Sequence, residues 1–267
     1  MPLDHRLMKC NYHTHMYLCR HAEGDIVDYV KKAIELGFRE IGISDHGPFQ
    51  ELRDRSVRMF PEEFPIYLKS LALAEAVYGK EIIIRRGLEI EFFPEHQDRY
   101  LDLHRQLDYL ALGQHYVKVA GSPNGLKSVY GLNHPEDLAI YASTVVAAIE
   151  SGQFKFVCHP DLMLYGYPSF DAHAKAASEA IIQAAVRCGV ALEINANGVR
   201  KGKRMIEGVW QYAYPRKDFW QLAKDLKATV IVSSDAHRPI ELYDEAIEAA
   251  YEFARSLGIV VVEALTF

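Results

Sequence analysis

Several stretches of this chain are apolar at every position over the length of a strand, Ile82-Ile83-Ile84 and Val230-Ile231-Val232 among them. A strand with one wet face alternates apolar and polar residues. One that is apolar throughout is covered on both faces, as in a parallel sheet flanked by helices. The chain supplies those helices in turn. Asp25 to Leu36 carries Ile26, Val30, Ala33 and Ile34 on one stripe, with Asp25 as N-cap and Gly37 just past the end. Pro61 to Tyr78 repeats the pattern, and further helices are predicted over Glu136 to Glu150, Asp171 to Arg187, Pro215 to Lys227 and Pro239 to Leu257. Between them lie predicted strands at Lys9–His15, Glu40–Ser44, Glu81–Ile90, Asp108–His115, Lys155–His159, Val190–Asn195 and Thr229–Ser234. Seven β-then-α units with short connections predict an α/β fold, a TIM-like (β/α)7 barrel, with Ile259–Glu263 as a candidate eighth, shorter strand. An open doubly wound sheet is the alternative, but the GxGxxG loop expected after its first strand is missing from the sequence.

Composition narrows the class. With 267 residues, 49% of them hydrophobic and 25% charged, the chain has the material for a sizeable core and is not disordered. A single domain over 1–267 is expected. The net charge of −6 argues against a nucleic-acid partner. No apolar run approaches the roughly 20 residues that span a bilayer, and the N-terminal residues lack the apolar stretch of a secretory signal. Cys10, Cys19, Cys158 and Cys188 are scattered without a CxxC, which reads as free thiols in a reducing compartment. A cytoplasmic protein without a membrane partner is the expectation; a homo-oligomer is left open.

The ends of the predicted strands carry the chemistry. The first ends in His13-Thr14-His15, with side chains at i and i+2 on one face and Cα atoms about 6.6 Å apart. His21 follows in the next loop. The second ends in Asp45-His46, the third near Glu89 and Glu91, the fourth at His115, the fifth at His159, and the seventh in Asp235-Ala236-His237. A lone histidine at a strand end is ordinarily a hydrogen-bonded structural residue. Here all but one of the strands end in His, Asp or Glu, and in a parallel barrel those ends meet on the face where catalytic groups sit. Divalent cations offset the desolvation and repulsion of such a crowd. Imidazoles with a few carboxylates suit zinc, iron or manganese rather than calcium or magnesium, and so many ligands exceed one ion's needs, which predicts two or three ions. Glu91 has the same parity as Glu89, and the residues alone leave that choice open.

In order and separation these motifs resemble the PHP (polymerase and histidinol phosphatase) superfamily: His13-Thr14-His15, Arg20-His21-Ala22-Glu23-Gly24, Ser44-Asp45-His46-Gly47-Pro48, Gly87-Leu88-Glu89, Gly113-Gln114-His115-Tyr116, His159-Pro160-Asp161-Leu162 and Ser234-Asp235-Ala236-His237. Arg20 to Gly24 and Asn195-Ala196-Asn197-Gly198-Val199-Arg200 make the chain most similar to the monofunctional L-histidinol-phosphate phosphatases. The resemblance implies a distorted (β/α)7 barrel. It implies that His13, His15, Glu89 and Asp235 hold one ion, that Glu89 bridges to a second held by His115 and His159, and that His21, His46 and His237 hold a third. His5, His96, His104, His134 and His173 are left as surface or structural residues, and Cys19 is not counted as a ligand.

The expected activity is metal-assisted hydrolysis of a small phosphate monoester, L-histidinol phosphate, in histidine biosynthesis. Arg200 is the candidate for binding the substrate phosphate, with Lys201 beside it and Lys203 and Arg204 nearby on what reads as a loop. Asp45 reads equally as a proton donor to the leaving alkoxide and as a partner orienting a ligand imidazole. No second basic residue follows His159, and the charged stretch Glu51 to Phe60, with Arg53, Arg55 and Arg58, is either a supplier of that charge over the barrel mouth or a solvated loop. The tyrosines Tyr165, Tyr167, Tyr212 and Tyr214 read as packing or loop anchors and Trp210 and Trp220 as structural. Two other readings compete: a PHP phosphoesterase acting on another ester or nucleotide, and a metal-binding accessory protein on an inactivated barrel. Loss of ligands would mark the latter, and all nine positions are filled.

Overall fold

The structure is a computed structural model that describes residues 7–49, 52, 56–122 and 125–267. In chain order its strands are β1 (Cys10–Asn11), β2 (Glu40–Ile43), β3 (Ile83–Arg86), β4 (Glu89–Ile90), β5 (Ala111–Leu112), β6 (Tyr116–Lys118), β7 (Leu126–Ser128), β8 (Phe156–Val157), β9 (Ala191–Asn195), β10 (Lys203–Ile206), β11 (Val209–Tyr212) and β12 (Val230–Ser233). The helices are α1 (Ile26–Glu35), α2 (Phe64–Tyr78), α3 (Gln97–His104), α4 (Pro135–Glu150), α5 (Met163–Gly166), α6 (Ala172–Cys188), α7 (Ala196–Arg200), α8 (Lys217–Asp225) and α9 (Glu245–Ser256).

Two parallel sheets share the barrel. One runs β1-β2-β3 and the other β12-β9-β8-β5-β4. The third strand belongs to both, because β3 pairs with β2 and β4 pairs with β5 on either side of Gly87 and Leu88. The opposite seam is closed just past β1 and β12, where Thr14 and Ala236 form a parallel bridge and His15 N–H donates to the Ala236 carbonyl at 3.0 Å. Seven strand positions therefore form a ring, the distorted TIM-type barrel. The helices lie outside it, α1 beside α2 and α6 between α4 and α8. Asp25 caps α1 in a capping box with Asp28, and Asp171 caps α6.

The sequence reading departs from the structure where short-range signals compete. Ile83 is half exposed, so the Ile82-Ile83-Ile84 run is covered on one face only at its start, beside the turn after α2. The predicted Pro239–Leu257 helix is broken: a 3-10 turn covers Pro239–Leu242, and Asp244 then turns its carboxylate onto the N–H groups of Ala246 and Ile247 to start α9. Such a side chain offers the backbone a cap in place of a continuous helix. Ile259–Glu263 contributes one bridge, Val261 to Val230, rather than a strand. The stretch after Arg200 forms the hairpin β10–β11 around Glu207-Gly208, both at positive φ, as a two-residue hairpin turn demands. Trp220 is buried as expected, but Trp210 lies on this hairpin, 62% exposed. Among the described residues no helix is long and apolar enough to cross a membrane, and the four cysteines are free thiols.

Beneath the strand ends the barrel is filled by aromatic rings. Tyr109 donates its hydroxyl to the Tyr12 carbonyl at 2.6 Å, and Phe267 packs against both tyrosine rings with centroids 5.3 Å away. Tyr109 fits because Gly42 and Gly87 have no side chain; a Cβ at either would collide with its ring or hydroxyl. Gly87→Ala is expected to destabilise the fold by about 1–3 kcal/mol through overpacking. Urea unfolding monitored by tryptophan fluorescence measures this, and an unchanged midpoint would show that Tyr109 moves aside freely.

Candidate metal centre

Most barrel strands deliver their polar residues just past the end of backbone pairing, and Glu89 lies within it. His13 and His15 leave β1 and Asp45 and His46 leave β2. Glu89 begins β4, His115 follows β5 and His159 follows β8, while Asp235 and His237 follow β12. His159 and Asp235 lie at positive φ, a conformation that non-glycine residues rarely adopt and that re-aims both side chains at the end of their strands. All nine candidates, His21 included, are brought into one cluster.

Glu89 occupies its middle, 1% exposed. Its Oε2 faces one set of imidazoles, with His46 Nδ1 at 2.8 Å, His13 Nε2 at 3.4 Å and His15 Nε2 at 3.6 Å. Its Oε1 faces another, with His159 Nε2 at 3.1 Å and His115 Nε2 at 3.6 Å. Asp235 Oδ1 lies 2.9 Å from His15 Nε2 and 3.5 Å from His13 Nε2. At the edge His237 Nε2 and His21 Nε2 stand 2.9 Å apart. Three of these groups, His13–His15–Asp235, His15–His46–His237 and Cys19–His21–His237, place one ligand atom per residue within 4.8 Å of the others. Gly113 makes room for the central carboxylate, since a Cβ there would collide with Glu89.

Burial drives charges together or neutralises them. It raises the carboxyls of Glu89 and Asp235, but the surrounding imidazoles overcome it and hold both well below the usual carboxylate range. Burial and the neighbouring His15 push His237 down to about 3, which leaves it a neutral imidazole fit to ligate. The Cys19 thiol is pushed up to about 11 by burial, and its Sγ donates to the Met16 carbonyl.

The outward ring nitrogens have partners of their own. His13 Nδ1 meets Glu193 at 2.8 Å, His15 Nδ1 meets Asp45 at 3.3 Å, and His115 Nδ1 meets Glu91 at 3.3 Å. A carboxylate on one nitrogen fixes the ring and leaves the other for a metal. Asp45 thus sits where an orienting partner sits. Glu91 is separated from Glu89 by its own partner, Arg58, whose Nη1 and Nη2 grip it at 2.8 and 2.7 Å. Glu193 escaped the sequence reading. The available signal was a single charge inside the apolar run Ala191-Leu192-Glu193-Ile194, a residue type that such a buried strand excludes unless it is paired.

Above the cluster opens a cavity of about 390 Å³ whose walls include Arg58, Tyr116, Ser128, Tyr130, Asn197 and Lys201. Arg200 is not among them. Its guanidinium is spent on Asp244 at 2.7 Å and on the carbonyls of Ser234 and Glu241 at 2.6 and 2.7 Å, tying α7 to the chain before α9. The position next to it, Lys201, reaches the cavity instead. Arg204 is turned to the Tyr165 carbonyl. Of the tyrosines singled out above, Tyr165 and Tyr214 pack in a chain with Tyr130, which itself lines the cavity. Arg53 and Arg55, like His5, lie outside the described residues.

The geometry carries two predictions. Glu193→Ala removes the partner of His13 and is expected to weaken zinc binding about 10–100-fold, read by competition with a chromophoric chelator; unchanged affinity would mean the ring needs no support. Glu91 is buried, which raises its pKa, but Arg58 overrides this and holds it at about 2 against an ordinary 4.5. A depressed carboxylate stabilises the fold above its unfolded pKa and loses that contribution as pH falls towards its folded one. Glu91→Gln is therefore expected to cost about 3–5 kcal/mol near neutrality, because it strands a buried guanidinium, and the deficit should shrink between pH 4.5 and 2; a pH-independent deficit in denaturant unfolding would refute this.

A PHP domain family model matches residues 11–197. Similar curated proteins include one from Deinococcus radiodurans named "Probable histidinol-phosphatase", 26% identical, with 93% of this chain and 94% of that protein covered. A Schizosaccharomyces pombe protein of the same name is 29% identical, with 87% and 81% covered. Among solved structures, the histidinol phosphate phosphatase of Lactococcus lactis, in complex with zinc, L-histidinol and phosphate, superposes with a TM-score of 0.68 at 18% identity over 95% of each chain. That likeness shows a shared fold.

Proposed function

The chain belongs to the PHP domain family, and we propose that it is a metal-dependent phosphoric monoester hydrolase that converts L-histidinol phosphate to L-histidinol and phosphate in histidine biosynthesis. The observation that carries this is the Glu89 carboxylate, whose two oxygens face separate sets of imidazoles on the floor of a cavity sized for a small ester. The names of the Deinococcus and Schizosaccharomyces relatives support the substrate.

The residues fit a cluster of divalent ions. Glu89 Oε2 and Asp235 Oδ1 are buried and meet imidazole nitrogens at 2.8 and 2.9 Å without hydrogen-bond geometry. His13 Nε2 and His15 Nε2 face each other at 3.1 Å, a pairing that a shared cation explains and apolar packing does not. His13, His15, Glu89 and Asp235 would hold one ion; Glu89, His115 and His159 a second; His21, His46 and His237 a third. Zinc, iron or manganese suits this donor set. Such ions bring the pKa of bound water close to neutral and stabilise charge on a phosphoryl group in flight. The protein's own part is to position: Glu193 and Asp45 fix the two rings of the His-x-His pair, Glu91 fixes His115, and Lys201 lends positive charge to the substrate phosphate from the cavity rim. Asp45, already engaged with His15, is a better orienting group than proton donor in this arrangement.

The test is phosphate release from L-histidinol phosphate beside nucleotides and sugar phosphates, with metal content measured on the same sample. Selective turnover with kcat/KM above about 10⁴ M⁻¹s⁻¹ is expected. Preference for another ester would keep the chemistry and discard the substrate, and bound metal without turnover would favour an accessory protein. Glu89→Ala, which takes a carboxylate from two ions at once, is expected to lose metal and most activity; a fully active variant would sink the assignment.

A further inference from the structure

Among the described residues the cavity wall contains two side chains, Arg58 and Lys201, that are permanently cationic near neutral pH. Lys201 is an exposed rim residue whose Nζ lies 5.7 Å from the centre of the Tyr130 ring. Arg58 is of another kind. It is 2% exposed, and its guanidinium is held by three hydrogen bonds. Nη1 donates to the Gly47 carbonyl at 3.2 Å and to Glu91 Oε2, and Nη2 donates to Glu91 Oε1. These bonds anchor it beside two of the candidate ligands, since Gly47 adjoins His46 and Glu91 holds His115 Nδ1. The His46 and His115 rings themselves lie 5.2 Å apart.

Its Nε is buried and has no hydrogen-bond partner among the described residues. A buried, charged N–H left unpaired is costly, and Arg58 is one of the residues that line the cavity. In a guanidinium the Nε–H and the nearer Nη2–H share one edge, spaced to meet two oxygens of a carboxylate or phosphate. Glu91 engages the other edge.

We propose that Arg58 is the second anion-binding residue of the site, beside Lys201, presenting its Nε–Nη2 edge to the phosphate of the substrate and of the released product. The inference rests on the phosphatase reading for its substrate, but its probe is inorganic phosphate. It places the charge on the segment between β2 and α2, and Arg200 plays no part in it. Glu91 has a double duty here: it orients His115 and holds Arg58 rigid, so the anion site and the metal centre share one carboxylate.

The test compares Arg58→Lys with the unchanged protein, both loaded with zinc. Lysine keeps the charge and can still pair with Glu91, but it has no fork. Inorganic phosphate affinity by calorimetry, and phosphate inhibition of hydrolysis, should weaken at least about tenfold. KM for the ester should rise in step, kcat should change far less, and metal content should stay the same. Unchanged phosphate affinity in a metal-replete variant would overturn the proposal, as would an equal loss of metal. Should lysine not support the fold, Arg58→Gln, which can still donate to Glu91 and leaves that carboxylate on His115, takes its place, and the same readouts decide. If no histidinol phosphate is hydrolysed while phosphate binding still falls on Arg58→Lys, the anion site stands and the substrate reading falls.

Discussion

Glu89 puts one negative charge among five imidazoles that arrive from four different strands. In water such an arrangement would be unremarkable; at 1% exposure it sets the terms for everything around it. The carboxylate must stay ionised to be tolerated by protonated neighbours, and the neighbours must be neutral to ligate. The protein meets both demands by dividing the rings. Those gripped by outer carboxylates are locked in orientation, while His46 and His237 are stripped of charge by burial. A bound cation would resolve the remaining conflict, because it replaces protons as the partner of the inward lone pairs. The outer carboxylates Glu193, Asp45 and Glu91 then retain their bonds.

Ring closure and site assembly are the same event in this fold. The Thr14–Ala236 bridge that joins the first and seventh strands lies between His13 and His15 on one side and Asp235 and His237 on the other. The His46–Glu89 bridge does likewise for the second and third. Strands of two to five residues offer few ladder hydrogen bonds, so side chains take a share of the pairing: Asn11 Oδ1 accepts from Ser234 N–H at 2.8 Å, and Asn195 Nδ2 donates to Asp235 at 3.1 Å.

Much of this was legible from the residues. Strand positions, the principal helices and the ligand-bearing ends follow from apolar runs, stripes and His-x-His spacing, which are local signals. What sequence could not give is long-range. Arg200 sits in a motif that points to phosphate, yet Asp244, 44 residues on, claims it. For Arg58 the residues alone do not choose between charge over the barrel mouth and a solvated loop, because its partner, Glu91, is 33 residues away and buried. Glu193 carried its own warning, a charge where a covered strand admits none, but the partner that justifies it, His13, is 180 residues distant. The hairpins β6–β7 and β10–β11 are built of strands of three or four residues, too short to leave a periodic trace.

The plug of Tyr12, Tyr109 and Phe267 below the histidines has a kinetic meaning. With these rings packed edge-on and tilted beneath the strand ends, the described residues fill the barrel below the cavity. For the hydrolase proposed above, the arriving ester and both departing products would share the cavity rim. Traffic there is serial, so the rate at which the last product clears the doorway sets a ceiling on turnover that faster chemistry at the floor would not lift.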